Sequence, residues 1–193
     1  MGPVYITRLI RESLGLAEKS LPGEPTPHFT PAPDADERVD TAETILRAMS
    51  LTEGFAPLVL LMAHHASVTN NPHGSALQCG ACGGYAGDVN ARLLATLLND
   101  PTVRTGLGNR GIDIPEDTCF MAGLHDTTRD RVRLYDQDLD RPVDSGQLKR
   151  VQTWMASAGA LARTERGHWL PRADSARAIE RRARDWSEVR PEW

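Results

Sequence analysis

No apolar run in this chain approaches the roughly 18 residues that a membrane-spanning helix requires. The opening MGPVYITRLIRESLG also lacks the long apolar stretch of a secretory signal. Ile6 stands where a myristoylation start needs Ser or Thr. A soluble or peripheral protein is therefore expected. Aromatics are sparse, at 5% of residues, which argues against a stacking surface for single-stranded nucleic acid; no nucleic-acid partner is expected. Cysteine is scarce too. Three cysteines, two of them in one CxxC, make no disulfide framework and suit a reducing cytoplasm. No internal repeat is evident.

What the chain does have is enough to fold. At 193 residues with 40% apolar content it can build the core of one domain, and wholesale disorder is excluded. The net charge of −4 is uneven: residues 147–193 carry ten Lys/Arg against six Asp/Glu, leaving about −8 on the first 146. Such a split is a weak sign of an interaction surface, more often two solvated faces.

Residues 1–20 read as a helical lead-in, with Leu9, Ile10, Leu14 and Leu16 on one side. Five prolines between 22 and 33 forbid helix and disfavour a central strand, so 21–38 reads as a linker or strap. Asp40 with Glu43 resembles a capping box, after which Ile45, Leu46 and Met49 give one apolar helix face. The continuous apolar run APLVLLMAHH, residues 56–65, predicts a strand buried on both faces, as in parallel sheets covered by helices. A polar, glycine-rich loop over 66–84 leads to a helix over 87–99, which Asn99-Asp100-Pro101 ends. Residues 118–125 predict a second strand and 132–137 a third. Leu148, Val151, Met155, Ala158 and Leu161 mark a helix over 146–164, and the charged tail from about 174 reads as another. Strand, loop, helix, strand in this order gives an α/β layered fold.

His64 and His65 stand where the first strand runs out, and ligand sites of parallel α/β sheets lie beyond the carboxyl ends of strands. Cys79 and Cys82 follow in CGACGG. Imidazole and thiolate together are the usual zinc set, four to a tetrahedral site. Gly80, Gly83 and Gly84 let the backbone pass close to a metal or anion, and the next helix offers free N–H groups to an anion such as bicarbonate. His125, Asp126, Thr127 and Thr128 end the second strand, as a network orienting a ligand or as a plain polar strand end. A CGAC tetrapeptide also fits a thioredoxin-like redox motif or structural thiols, and those readings stay open on chemistry alone. His73 reads as a polar loop residue, Cys119 as a buried thiol, Arg181, Arg182 and Arg184 as a solvated helix face, and the four tryptophans as gap-fillers.

The run NNPHGSALQCGACGGYAGDVNARLLATLLNDPTVR, then GIDIPEDT, LHDTTRD and DWSEVRPEW, resembles the DabA family of inorganic-carbon transporter subunits across essentially the whole chain. The resemblance implies a β-carbonic-anhydrase-like layered fold with a largely parallel sheet. It implies one zinc held by two Cys, one His and one Asp, with a Cys and the Asp from a CxDxR strand motif. The His six residues before the NNP string corresponds to His64, and the second Cys to Cys79; Cys82 is not carried over. His65 stands where the family usually has Gly. No CxDxR occurs in this sequence, so residues 39–193 are expected to be the second half of the zinc domain. The chain is thus expected to be an internal fragment with half the zinc site, its strand edges and apolar faces left uncovered. The resemblance further implies hydration of CO2 to bicarbonate in the complete protein, a proton-channel-like integral membrane partner of DabB type, and a peripheral place on the cytoplasmic face of the inner membrane. A thiol–disulfide redox protein using Cys79 and Cys82, and a non-catalytic interaction module, are the alternatives.

Overall fold

Pro33 is the last proline before Pro57, and the first helix begins two residues after it. The computed structural model describes residues 25–67, 72–167 and 175. Helix α1 spans Ala35–Ala48. Strand β1 is Leu58–His65, α2 Asp88–Asn99, α3 Pro101–Gly108, β2 Cys119–Asp126, β3 Arg131–Leu134 and α4 Ser145–Gly167. The lead-in helix, Asn70 and Asn71 of the NNP string, and the charged tail apart from Ser175 lie outside the described residues. Among the described residues no helix is long and apolar enough to cross a membrane.

The capping box falls earlier than the sequence suggests. Asp34 is the N-cap: its carboxylate accepts the Glu37 N–H at 2.8 Å, and Glu37 accepts the Asp34 N–H at 3.0 Å. Asp40 and Glu43 instead sit inside α1, where both pair with Arg110. At the other helix junction the expected stop is present. Asp100 closes α2 and caps α3 by accepting the Thr102 and Val103 N–H groups at 2.8 and 3.1 Å, with Pro101 beginning the new helix.

The sheet is mixed, in the order β1-β2-β3. β1 and β2 are parallel, with Leu61 opposite Ala122, His64 opposite His125 and His65 opposite Asp126. β2 and β3 are antiparallel. The chain is therefore α/β, with α2 and α3 as the crossover between the parallel strands and, among the described residues, no strand paired to the outer edge of β1. The strand expected to be buried on both faces is a correction: of the eight residues of β1 Leu61 alone is fully buried, whereas seven of eight are buried in β2. Position explains it: β2 is paired with β1 throughout, with β3 over 123–126 and with Asn99 at Phe120, whereas among the described residues β1 is an edge. The main core lies between the sheet and the helices α1–α3, around Leu46, Leu98, Leu107, Ile112 and Phe120.

Beyond the reach of β3, a side chain does a strand's work. Asn99 donates to the Phe120 carbonyl at 2.7 Å and accepts the Phe120 N–H at 3.0 Å. Arg104 holds the Asn99 oxygen at 3.1 Å, so the free edge of β2 is satisfied by an amide.

Helix α4 divides the apolar stripe expected of it. Its buried positions are Val151, Gly159 and Arg163, whereas Ala158 and Leu161 are exposed. Trp154, expected to fill a gap, is 64% exposed. Close approach sets this rotation. A Cβ at Gly159 would collide with the Asp130 carbonyl oxygen, and Arg163 donates to the Arg129 and Asp130 carbonyls at 2.8 and 3.0 Å. The helix turns Gly159 and this arginine, not Leu161, toward the β2–β3 turn.

Candidate metal centre

The parallel pairing puts the carboxyl ends of β1 and β2 side by side, so His64, His65, His125 and Asp126 gather at one end of the sheet. Alternation then separates them. His64 and His125 share the face of Met62 and Gly123, and His65 and Asp126 share the opposite face.

The cysteine loop is fastened to the outer edge of β1. The Gln78 side-chain amide donates to the Ala66 carbonyl at 2.8 Å and accepts its N–H at 3.2 Å. Further on, the Gly87 N–H donates to the His64 carbonyl at 3.1 Å. Between these clamps the chain folds on Cys79, whose N–H donates to Tyr85 O and whose carbonyl accepts from the Cys82 and Gly84 N–H groups, all at 3.1 Å. Gly83 and Gly84 take φ of 66° and 83°, a left-handed pair that L side chains rarely adopt. The backbone turn accounts for both glycines. Gly80 has ordinary φ and nothing within 4 Å of an added Cβ.

His64, Cys79 and Cys82 all line one open cleft of about 550 Å³. Its other walls are mostly apolar: Ile45 and Met49 of α1, Leu94 of α2, and Phe29 from the proline-rich strap. The Asn90 amide donates to the Cys82 sulfur at 3.3 Å. A hydrogen bond from the Cys82 thiol pulls the Cys79 thiol below its ordinary pKa against a smaller opposing effect of burial, and backbone N–H groups of Cys82 and Ala81 add to it. Cys82, as the donor, is pushed up, first by that bond and then by burial. One thiol of the pair is thus the better anionic donor.

Imidazole and a favoured thiolate are suitable zinc donors, but a tetrahedral site needs four. Among the described residues no group of three or more His, Cys, Asp or Glu side chains could hold a metal ion. The donors present fit zinc in kind and supply half the number.

His125 and Asp126 are occupied elsewhere. His125 Nε2 lies 3.5 Å from Asp130 Oδ1. Asp126 accepts the Ser67 hydroxyl at 2.6 Å, and the Thr128 hydroxyl and N–H at 2.7 and 3.1 Å. Burial alone would raise the Asp126 pKa; these hydrogen bonds, with His65 and Arg129, outweigh it, and the net direction is down. Burial is also the largest effect on His65 and lowers its pKa, partly offset by Asp126 and Asp88. The anion-binding idea for the N-terminus of α2 meets a competitor in Asp88, a buried carboxylate in its first turn that accepts the Tyr135 hydroxyl at 3.3 Å. Cys119 is a buried thiol, raised by its burial.

The lowered Asp126 pKa predicts an acid dependence. A carboxylate depressed in the folded state contributes its full stability above the unfolded pKa of about 4 and loses it as pH falls through the lower folded value. Asp126→Asn should therefore lower stability at neutral pH and flatten the fall below pH ~4. Urea unfolding at a series of pH values reads both. An unchanged acid limb would show that Asp126 carries no such linkage.

Sequence reasoning missed Gln78, Asn90 and Ser67. Each partners a singled-out residue or its neighbour, and each is an ordinary polar residue with no motif of its own.

A polar cluster at the carboxyl ends of a parallel strand pair, with a thiol–imidazole cleft beside it, is the place where α/β proteins hold their ligands. The particular family comes from comparison with known proteins. Residues 7–193 match the family described as "Probable inorganic carbon transporter subunit DabA", and the chain belongs to that family. Relatives of the same name are 58% identical over 193 residues in Rhodopseudomonas palustris strain TIE-1, 57% over 194 in Rhodospirillum centenum and 55% over 192 in Allorhizobium ampelinum. Each alignment covers 100% of this chain and 24% of the relative. No solved structure matches the chain.

Proposed function

We propose that this chain is the part of an inorganic-carbon transporter subunit that supplies His64 and Cys79 to a zinc ion. The observation that carries the reading is that one cleft is lined by both side chains, with the Cys79 thiol biased toward its anion. The relatives' printed name points to inorganic carbon as the cargo. His64 would contribute a neutral imidazole nitrogen and Cys79 a thiolate, and the cysteine loop, clamped through Gln78 and Gly87, would hold them in register. Zinc, when bound, supplies Lewis-acid activation of water toward hydration of CO2. The apolar walls at Ile45, Met49 and Leu94 suit an uncharged gas and limit water. The other two donors, a Cys and an Asp, belong in this reading to the remainder of the family chain. The complete subunit would sit peripherally on the cytoplasmic face of the inner membrane, against a proton-channel-like integral partner, and hydration is expected in that assembly.

A second reading has its own observation. Cys79 and Cys82 are free cysteines that line the same cleft, and the Cys82 thiol lowers the Cys79 pKa, as in a thiol–disulfide redox pair. The two readings part in cells. Take the full-length Rhodopseudomonas palustris relative with these 193 residues grafted in place of its matching segment, expressed with the membrane partner. Accumulation of labelled inorganic carbon should fall to background in His64→Ala and Cys79→Ala. It should largely survive Cys82→Ser, which keeps a donor to Cys79. Full loss in Cys82→Ser with none in His64→Ala would favour the redox pair.

A further inference from the structure

Arg163 is a buried cation that the fold uses on one edge only. It is 9% exposed, and its Nη1 is spent on the Arg129 and Asp130 carbonyls of the β2–β3 turn. The other edge of a guanidinium, Nε with Nη2, is the one that meets a carboxylate at two points. Arg92 gives that edge to Asp138. In Arg163 the same edge is unspent. Its Nε is buried without a hydrogen-bond partner, and among the described residues no carboxylate pairs with this arginine.

A buried charge without a counter-ion is costly. Asp130 does not meet the need, although it is the neighbouring carboxylate. Arg166 Nη2 holds both of its oxygens, at 3.0 and 2.9 Å, and His125 approaches it at 3.5 Å. Gly159, one turn before Arg163 on α4, leaves the guanidinium its place: an added Cβ there would stand 3.2 Å from Nη1. The arginine is thus fixed by its tied edge, which leaves the other one preorganised.

Arg163 lines a cavity of about 380 Å³ between β3 and α4. From β3 come Val132 and Leu134, and from α4 Met155, Ala156 and Gln152. The space is on the order of ten water volumes, more than bicarbonate alone would fill, and four of these five residues are apolar. No residue is shared with the cleft of His64 and Cys79.

We infer that this cavity binds a small monocarboxylate with an apolar body. The carboxylate sits on the Nε–Nη2 edge of Arg163 with the Gln152 amide as a further donor, and the body lies against Val132, Leu134, Met155 and Ala156. The site stands whether or not the other cleft holds zinc.

Hexanoate is the probe, titrated into the 193-residue chain in chelator at constant ionic strength, with the Arg163 Nε–H signal followed by NMR. A saturable shift of that signal is expected. Acetate should bind at least ~10-fold more weakly, since each methylene buried strengthens binding about fourfold, and chloride should give no saturable shift. Arg163→Lys keeps the charge without the two-point edge and should weaken hexanoate at least ~10-fold, read by the amide signals of Val132 and Ala156. Gln152 is exposed, so Gln152→Glu leaves the turn intact and sets the chain's own carboxylate beside the ligand's. It should weaken hexanoate at least ~10-fold with the urea midpoint unchanged, and it carries the test where the lysine variant loosens the turn. Absence of a saturable shift would overturn the inference. So would acetate or bicarbonate binding as tightly as hexanoate, or an affinity indifferent to Gln152→Glu. If the isolated chain gives no folded spectrum, the melting temperature of the full-length graft described above is read in hexanoate against equal chloride. A rise that Gln152→Glu removes supports the site, and no rise, or equal rises in both, overturns it.

Discussion

Asp138→Ala should destabilise the chain by roughly 3–5 kcal/mol, the usual cost of removing one member of a buried ion pair. Arg92 and Asp138 form a two-point ion pair, Nε to Oδ2 at 2.5 Å and Nη2 to Oδ1 at 3.0 Å, with side chains 2% and 6% exposed. Asp138 is the main cause of the raised pKa of Arg92, against the opposing effect of burial. The pair also fastens three parts of the molecule. Arg92 belongs to α2, and Asp138 to the short 3₁₀ turn after β3. The strap joins through the Pro25 carbonyl, which accepts from Arg92 at 3.1 Å, and the Thr26 hydroxyl, which donates to Asp138 at 3.0 Å. That strap brings Phe29 to the cleft wall, so the same substitution should loosen the candidate metal centre. Urea unfolding of wild type and variant reads the first effect. The double change Arg92→Met with Asp138→Leu should recover much of the loss, because an apolar pair of similar volume carries no desolvation penalty. A loss below about 1 kcal/mol in the single variant would mean that Arg92 reaches water or another anion once Asp138 is gone.

Elements were legible in the sequence where periodicity was strong. β1, α2, β2 and α4 lie within a few residues of their expected positions, because apolar runs and the Asn99-Asp100-Pro101 stop speak for themselves. Burial was less legible. The runs of β1 and β2 look alike in composition, and nothing local says that one is flanked and the other an edge. The face of α4 was misjudged because a glycine and an arginine, neither counted as apolar, make its closest contacts. The capping box was misplaced because two Asp-x-x-Glu strings, at 34 and 40, both fit the pattern, and the position of Pro33 decides between them.

The site was legible by resemblance more than by spacing. Fourteen residues separate His64 from Cys79, and no spacing rule would predict that one cleft receives both. The residues that bring this about act through amides. Gln78 clamps Ala66 twelve residues away, as Asn99 clamps Phe120 across twenty-one. Such strand-mimicking side chains leave no periodic signal. The departure at His65 has a physical place as well: it turns to the face opposite His64, paired with Asp126, its pKa lowered chiefly by burial. His64, and not His65, lines the cleft, in agreement with the family spacing.

The central claim is that His64 and Cys79 are two of four donors and that the rest of the family chain brings the others. Zinc content tests it most directly, measured on the isolated chain, on the full-length graft, and on the graft carrying His64→Ala or Cys79→Ala. Two donors chelate zinc weakly, whereas a closed four-ligand site holds it through purification, with apparent binding energies on the order of 10–16 kcal/mol in small structural sites. The account predicts near-stoichiometric zinc in the graft, little in the isolated chain, and loss in each variant with folding intact. Full zinc in the isolated chain, or zinc in the graft indifferent to both substitutions, would contradict it.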